Sequence, residues 1–234
     1  MADRLIREYS ARLATEPRNI KLMREVAELY AQKKDFDKAL EYCQKIKSAE
    51  GGNNDPSFEQ FATGISLKRF DYSLTQLDPN ASDYAECVAR IEAERAAFEL
   101  EECKGRAERY PTDLQIRYEL GELYFKAGKI NEALGEFQKA LANPNRRIQA
   151  MAFLGQCFAR KGMNDMAARR LQEAIKEKPG FDDEKKELLY QLGSVLEKMG
   201  KTDEAIEQFK QIYEADIGYK DVSTKVDAYY AGKA

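Results

Sequence analysis

The chain has 234 residues, and its 38 lysine and arginine residues against 41 aspartate and glutamate residues give a formal net charge of -3. This near balance argues against a nucleic-acid-binding protein, which should show a strongly basic face. No stretch approaches the roughly 18 consecutive apolar residues of a membrane-spanning helix, so we expect no membrane insertion. The sequence contains no histidine, which excludes Ser-His and Cys-His nucleophile pairs.

The cysteine content argues against both a disulfide framework and a structural zinc site. Cys43, Cys87, Cys103 and Cys157 stand far apart and form no paired spacing. We therefore interpret them as small buried hydrophobic residues of a reducing, cytoplasmic environment. The sequence predicts no cofactor, no metal site, no catalytic residues and no enzymatic activity.

The first predicted helix covers residues 2–15 and is amphipathic, with Leu5, Ile6, Tyr9 and Leu13 on one side. It has the spacing expected of the second helix of a helical hairpin whose first helix is missing. Two interpretations remain open: a natural start, or a chain that is part of a longer array. We favour the second, because an unpaired helix at the end of an array leaves an apolar face uncovered.

Residues 20–50 predict a helical hairpin, with Lys34 in the turn between the two helices. That position favours the left-handed backbone conformation, so a lysine there should introduce local strain. The next segment, residues 50–56, is rich in glycine and asparagine and ends in Asp55-Pro56. Aspartate followed by proline predicts the start of a new helix at residue 56.

Two long helices are predicted after this break. The first runs from residue 56 to about residue 77, and the second occupies residues 82–110, which contain no proline. Residues 81–113 carry nine acidic and five basic side chains. This helix is either a solvated face or an interaction arm whose apolar stripe, including Val88 and Ile91, docks on a second copy or a partner.

The most regular region repeats the same residues three times. Leu120-Gly121, Tyr124, Gly128, Ala133, Phe137 and Ala140 recur 34 residues later as Leu154-Gly155, Phe158, Gly162, Ala167, Leu171 and Ala174, and 38 residues after that as Leu192-Gly193, Leu196, Gly200, Ala205, Phe209 and Ile212. Apolar steps of three and four predict two helices in each copy. We expect the second helix to be capped by Asn131, Asp165 or Asp203.

These motifs resemble the tetratricopeptide repeat (TPR) family. The early tryptophan usual in that family is replaced by Arg117, Met151 and Leu189. The resemblance implies an all-α, right-handed superhelical solenoid of antiparallel helix pairs, with a concave groove that usually holds a peptide or protein partner. The family's Lys and Asn clamp for chaperone tails is absent, because Tyr118, Glu119 and Glu122 occupy those positions.

The chain ends with a predicted capping helix at residues 219–230, whose apolar face comprises Val222, Val226, Tyr229 and Tyr230. The segment from Glu214 to Val222 is similar to the tails of bacterial TPR proteins of unassigned role. We therefore divide the chain into an N-terminal half repeat plus one TPR-like repeat (1–50), an enlarged degenerate repeat with a long helix (51–113), three TPR repeats (114–217) and a capping helix (218–234).

The repeat register places a set of first-helix residues on the concave side. The predicted partner-binding groove comprises Tyr118, Glu122, Phe125, Lys126, Gln149, Ala152, Gln156, Arg160, Glu187, Tyr190, Ser194, Glu197 and Lys198. We expect Tyr118, Phe125 and Tyr190 to act as aromatic anchors, and Lys126 and Arg160 to receive carboxylates. The leading hypothesis is a non-enzymatic scaffold for a peptide or protein segment. The alternative is a self-assembling homo-oligomer that uses the long helix or the ends of the array.

Overall fold

The computed structural model of the chain describes residues 2–49 and 56–232, and over these residues the secondary structure is entirely helical. The helices are α1 (Ala2–Thr15), α2 (Ile20–Gln32), α3 (Phe36–Ser48), α4 (Pro56–Thr75), α5 (Tyr84–Arg109), α6 (Leu114–Lys126), α7 (Ile130–Ala140), α8 (Arg147–Arg160), α9 (Asn164–Glu177), α10 (Asp183–Lys198), α11 (Thr202–Ala215) and α12 (Val222–Ala231). The predicted all-α architecture is confirmed. The predicted cap at Asp55 lies outside the described residues.

The chain divides into two compact units, residues 1–98 and 99–234, and the boundary falls within α5. In the first unit, α1 packs on α2, α2 on α3, and α3 on α4. The core of this unit is built by buried side chains that include Ala27, Phe36, Ile46 and Phe58. Ile6 of α1 is also buried, as the amphipathic pattern of that helix predicts.

The second unit stacks three helical hairpins, α6 with α7, α8 with α9, and α10 with α11, and each hairpin packs on the next. Its largest core side chains include Phe137, Leu171 and Phe209, which occupy the same repeat position and are almost completely buried. The last hairpin is covered by α12, through buried Val222 and Val226. Helix α12 lies within the predicted capping segment but begins at Val222 rather than at residue 219, and its Tyr230 is exposed.

The repeat glycines permit close contact between the two helices of each hairpin. A Cβ atom at Gly121, Gly155 or Gly193 would lie 2.8, 2.8 or 2.6 Å from the nearest side-chain atom of the second helix. Those atoms belong to Phe137, Leu171 and Phe209. A large side chain on the second helix thus fills the space that each glycine leaves, which keeps the pair tightly packed.

The turn inside each hairpin explains one incorrect prediction. Gly128 has a φ of 73°, and after it Lys129 donates its backbone N–H to the carbonyl of Tyr124 at 2.9 Å. This hydrogen bond closes the end of α6 in a tight turn. The next helix, α7, therefore begins at Ile130, and Lys129 is its cap residue. Asn131 therefore does not cap α7, and α9 and α11 also begin before Asp165 and Asp203, without side-chain caps.

Both long helices are present. The helix predicted at 82–110 is α5 with 26 residues, and α4 has 20 residues. Lys34, in the turn between α2 and α3, has the left-handed φ of 65° that the sequence predicts for this position. The interpretation of residues 51–113 as one enlarged repeat stays a prediction.

Candidate partner-binding surface

The predicted groove residues all lie on the first helices of the three hairpins, α6, α8 and α10. We call the face that they form the first-helix surface. Packing between successive hairpins brings α6 beside α8, and α8 beside α10. The structure therefore brings the predicted residues together along one series of helices. The burial and the contacts of individual residues differ from the expectation.

Tyr118 and Phe125 are buried, so the prediction that they are accessible aromatic anchors is wrong in this state. Their exposed fractions are 5% and 8%. The residue responsible is Phe153 of α8, whose ring centroid lies 6.0 Å from that of Tyr118 and 5.3 Å from that of Phe125. Phe153 also stacks on Phe137 at 4.8 Å. These four rings form a cluster that holds α6, α7 and α8 together.

Two arginines cover this aromatic cluster from outside. The Arg160 guanidinium lies 3.6 Å from the centroid of the Phe125 ring and donates to the Phe125 carbonyl at 3.1 Å. Arg146 lies 5.2 Å from the Tyr118 ring and donates to the side-chain oxygen of Gln115 at 3.0 Å. Burial, followed by the nearby Glu122 carboxylate, raises the pKa of Tyr118 well above its usual range, so this phenol remains protonated.

Sequence reasoning missed Phe153 and Arg146, although both lie beside predicted residues. Phe153 follows Ala152, which the register assigned to the surface, and it points into the contact between hairpins instead. Arg146 is the cap residue of α8 and lies outside the helical pattern. The available signal was the excess of aromatic side chains in α6 and α8, which cannot all be exposed in a stable array.

Polar bonds join α8 to α10, and α10 to the final segment. Gln149 donates to Glu184 at 2.6 Å, and Gln156 donates to Gln191 at 3.2 Å. Each bond joins one first helix to the next. These bonds fix the spacing of the surface, because a shift of either helix would leave polar groups unpaired in a partly buried position.

The end of the array fixes Glu187 and Tyr190 in the same way. Glu187 accepts a hydrogen bond from the Tyr219 hydroxyl at 2.7 Å and a second from Lys220. Burial works to raise the pKa of Glu187, but bonds from Lys220, Gln191 and Tyr219 outweigh it and lower that pKa. Tyr190 donates to Asp221 at 2.8 Å, and burial together with this bond raises its pKa to about 12.

Three basic side chains remain exposed at the C-terminal ends of these helices. Lys126, Arg160 and Lys198 occupy the same position in three successive hairpins, and all three are exposed. Cations at this end of a helix also complement its macrodipole. We call these three residues the cationic row. Glu197, beside it, forms an ion pair with Lys225 at 2.7 Å.

The described residues contain no group of three or more metal-ligating side chains. The four cysteines are unpaired thiols, and burial raises the pKa of Cys43, Cys103 and Cys157 to about 11. Such thiols are poor nucleophiles near neutral pH. No helix within residues 2–49 and 56–232 is long and apolar enough to cross a membrane.

Family models described as Tetratricopeptide repeat match residues 118–180 and 186–216. Among curated proteins, the chain is similar to the ESX-5 secretion system protein EccA5 of Mycobacterium bovis, with 28% identity over 160 residues. EccA5 of Mycobacterium marinum is 26% identical over 159 residues. Each alignment covers 66% of this chain and 25% of the relative, so the match spans about a quarter of these relatives' length.

Solved structures of low sequence identity share the fold. A crystal structure of MamA superposes with a TM-score of 0.56 at 19% identity, covering 83% of this chain and 90% of MamA. MamA of Desulfovibrio magneticus RS-1 superposes with a TM-score of 0.54 at 16% identity, over 83% of this chain and 93% of that protein. YrrB, described as a TPR protein with an unusual peptide-binding site, gives 0.55 at 16% identity, over 97% and 98% of the two chains.

The repeat glycines and the large side chains that pack on them recur through residues 118–180 and 186–216, where the family models also match. The described helices pair as those residues predict. Residues 118–180 and 186–216 therefore belong to the tetratricopeptide repeat family.

Proposed function

We propose that this protein is a non-enzymatic cytoplasmic scaffold that binds a protein or peptide segment on its first-helix surface. The observation that carries the proposal is the cationic row of Lys126, Arg160 and Lys198, which is exposed on three successive hairpins. A partner segment that lies across these hairpins would place carboxylates against the row. The family commonly binds protein segments, and the fold shared with YrrB, described as having a peptide-binding site, supports this role.

Rigidity of the surface supports the proposal physically. The bonds from Gln149 to Glu184 and from Gln156 to Gln191 join the first helices before any partner arrives. Binding to a surface that is already ordered avoids much of the entropy that a flexible surface would lose. Arg160 is held in the same way by the Phe125 ring and carbonyl.

Burial of Tyr118 and Phe125 limits the affinity that this surface can supply. An exposed ion pair contributes only about 0.2 to 1 kcal/mol. Three cations alone therefore support weak, salt-dependent binding, unless the partner also gains apolar contacts. The proposed scaffold consequently needs an apolar contact elsewhere to bind its partner tightly.

The test compares partner capture by charge-reversal variants of equal net charge. The test variant is Lys126→Glu/Lys198→Glu. The control is Arg169→Glu/Lys176→Glu, which reverses two exposed basic residues on α9, a second helix. Both variants should keep wild-type helicity, because the four side chains are exposed. Quantitative mass spectrometry of proteins captured from a lysate of the source organism provides the readout.

We expect one captured protein to be retained by the wild type and the control, and lost by the test variant. Its recombinant form should then bind with an affinity that falls as salt rises. Equal capture by all three proteins would reject the first-helix surface as the binding site. If each captures only this protein itself, and sedimentation shows a mass that rises with concentration, self-assembly replaces the scaffold model.

A further inference from the structure

A cavity of about 420 Å³ lies within the first unit, between the C-terminal half of α2 and α4. Its apolar wall includes Ala31, Phe61 and Ile65, and Gly64 contributes bare backbone. The basic side chains of Lys34 and Lys68 also line it. Ligand pockets in proteins typically measure about 300 to 1,000 Å³ and combine apolar walls with a few placed polar groups. This cavity meets both criteria.

The cavity is open because the repeat glycine on α4 has no side chain packed on it. Among the described residues, a Cβ atom at Gly64 would meet no atom within 4 Å. In the second unit, a Cβ atom at Gly121, Gly155 or Gly193 would instead collide with a large side chain of the neighbouring helix. The same repeat position is therefore filled in one unit and vacant in the other.

The Phe61 ring is held in position beside this vacancy. The Arg24 guanidinium lies 4.7 Å from the Phe61 ring centroid, and Phe58 lies next to it with a centroid separation of 6.3 Å. Phe61 is half-buried, whereas Phe58 is 2% exposed. One face of a fixed aromatic ring is thus available to an apolar side chain from outside, a contact that stabilises many protein interfaces.

The backbone of Lys34, a residue that lines this cavity, has a strained conformation. Its φ is 65°, in the left-handed region, and Gly128, Gly162 and Gly200 occupy the corresponding turns of the second unit with φ near that value. A lysine is unfavourable in this conformation, and strain of this kind is often found at ligand-binding positions. Lys34 also lines a second cavity, of about 450 Å³, together with Arg69 and Tyr72. It therefore stands where two cavities adjoin.

The charges around this position favour an acidic ligand. Among the described residues, neither Lys34 nor Lys68 forms an ion pair, and the Lys34 ammonium lies 5.6 Å from the Tyr72 ring centroid. Arg69 reaches Asp37 only at 4.0 Å, with both side chains exposed. Among the described residues, Glu28 is the one acidic residue that lines the cavity between α2 and α4. Asp35, which lines the second cavity, is paired with Lys38 at 3.1 Å. Carboxylates of a ligand would therefore meet Lys34 and Lys68 as cations that form no ion pair within the described residues.

We propose that the cavity between α2 and α4 is a docking site for an acidic peptide segment. An apolar side chain of the peptide enters the cavity over Gly64 and packs on Phe61 and Ile65, and flanking carboxylates bind Lys34 and Lys68. The inference rests on the proposed scaffold function. It supplies the apolar contact that the first-helix surface lacks, at a site that does not include the cationic row.

The probe is the hexapeptide acetyl-Glu-Asp-Leu-Phe-Asp-Glu-amide, titrated into isotopically labelled full-length protein and followed by NMR. Two comparison peptides isolate the chemistry: acetyl-Glu-Asp-Ser-Ser-Asp-Glu-amide keeps the charge, and acetyl-Lys-Lys-Leu-Phe-Lys-Lys-amide keeps the apolar residues. We expect the first peptide to shift the signals of Phe61, Gly64 and Lys68, and to bind at least about tenfold more tightly than either comparison peptide.

Gly64→Leu is the decisive variant, because it fills the cavity from inside. The added side chain meets no neighbour at its Cβ, and replacing a helical glycine favours the helix, so the protein should remain folded. The matched control is Gly135→Leu on α7, where a Cβ atom also meets nothing within 4 Å. We expect about a tenfold or larger loss of peptide affinity for Gly64→Leu and wild-type affinity for Gly135→Leu.

Charge is tested with Lys68→Glu against Lys47→Glu, an exposed lysine on α3. Only Lys68→Glu should weaken binding of the acidic hexapeptide. Equal binding to Gly64→Leu and the wild type, equal binding of the serine peptide, or no shift at the cavity up to millimolar peptide would each overturn the proposal. Failure of the scaffold function is recognised separately: Lys126→Glu/Lys198→Glu would then retain every protein partner that the wild type captures.

Discussion

The contact between α6 and α8 in the second unit and the space between α2 and α4 in the first show two results of one repeat pattern. Counting from the repeat position, which is Gly64 in α4 and Ala27 in α2, Ala62 takes the place of Phe153, and Ala31 takes the place of Phe125. In the second unit, aromatic rings fill the contact and Arg160 covers it. In the first, Ala31 and Gly64 line a cavity of about 420 Å³, and Ala62 is buried in the core of the unit.

This difference teaches that the repeat signature and the character of the groove are specified by different residues. The signature positions fix how the two helices of a hairpin pack. Residues between those positions decide whether successive first helices contact one another through side chains or leave space for a partner. In the second unit, side chains of the protein itself thus fill the contact between first helices. The first unit retains apolar surface that a ligand can cover.

The largest expected effect on stability follows from removing the Phe153 ring, which fills the contact between α6 and α8. Phe153→Ala removes the ring that stacks on Phe137 and meets Tyr118 and Phe125. We expect a loss of about 3 kcal/mol in the free energy of unfolding, at the low end for Phe→Ala because Phe153 is partly exposed. Urea denaturation followed by circular dichroism measures it. Phe181→Ala, at a residue 46% exposed, serves as the control and should change stability little.

The sequence predicted the hairpins and their close contacts because these depend on residues at fixed separations. Gly121 and Phe137 lie in one repeat, and their complementary sizes are visible in the sequence. Burial of Tyr118 was not predictable in this way. It depends on Phe153, in the next hairpin, and on the rotation of α8 relative to α6. No local pattern encodes that rotation.

The caps and the cavity reveal two further limits of sequence reasoning. Asn131 is a favourable capping residue, but after the turn at Gly128 the helix α7 begins before Asn131, and Lys129 is its cap residue. The cavity beside Gly64 results from small side chains on two helices, and alanines in a repeat usually indicate close packing. The sequence therefore predicted the path of the helices and the helices that carry the first-helix surface, and it did not predict the burial of Tyr118 and Phe125 or the cavity.

The next prediction compares the same substitution at a filled and at a vacant glycine. Gly193→Ala places a Cβ 2.6 Å from Phe209 and should lower the free energy of unfolding by about 1 to 3 kcal/mol through overpacking. Gly64→Ala should raise it by up to about 1 kcal/mol, because alanine favours the helix. Parallel urea titrations give the sign of each change. Destabilisation of similar size at both positions would contradict the vacancy at Gly64.

Exchange of the turn residues between the two units tests the strain at Lys34. Lys34→Gly relieves a left-handed lysine, and Gly128→Lys introduces one. We expect Lys34→Gly to raise the free energy of unfolding, and Gly128→Lys to lower it, by about 1 kcal/mol each. The gain is reduced by the flexibility of glycine in the unfolded chain, and by the lost contact between Lys34 and the Tyr72 ring. If Lys34→Gly also weakens the acidic hexapeptide, the strained residue serves binding at the expense of stability. A loss of stability in Lys34→Gly would contradict this expectation and show that the two opposing effects exceed the strain at Lys34.

The smallest effect concerns the acid sensitivity of the polar contacts at the end of the array. The folded protein lowers the pKa of Glu187 through bonds from Lys220, Gln191 and Tyr219, which outweigh its burial. The unfolded chain therefore binds this proton more readily, so the stability that Glu187 contributes is present above its unfolded pKa of about 4.3 and is lost as the pH falls through the lower folded value.

Glu187→Gln should accordingly lose less stability than the wild type when the pH falls from neutral to below about 4. The difference should be less than about 1 kcal/mol, because the partners are largely at the surface. Urea midpoints measured along this pH series, with Glu214→Gln on α11 as an exposed control, isolate the effect. If Glu187→Gln and the wild type lose stability in parallel, the Tyr219 and Lys220 bonds do not favour the charged carboxylate.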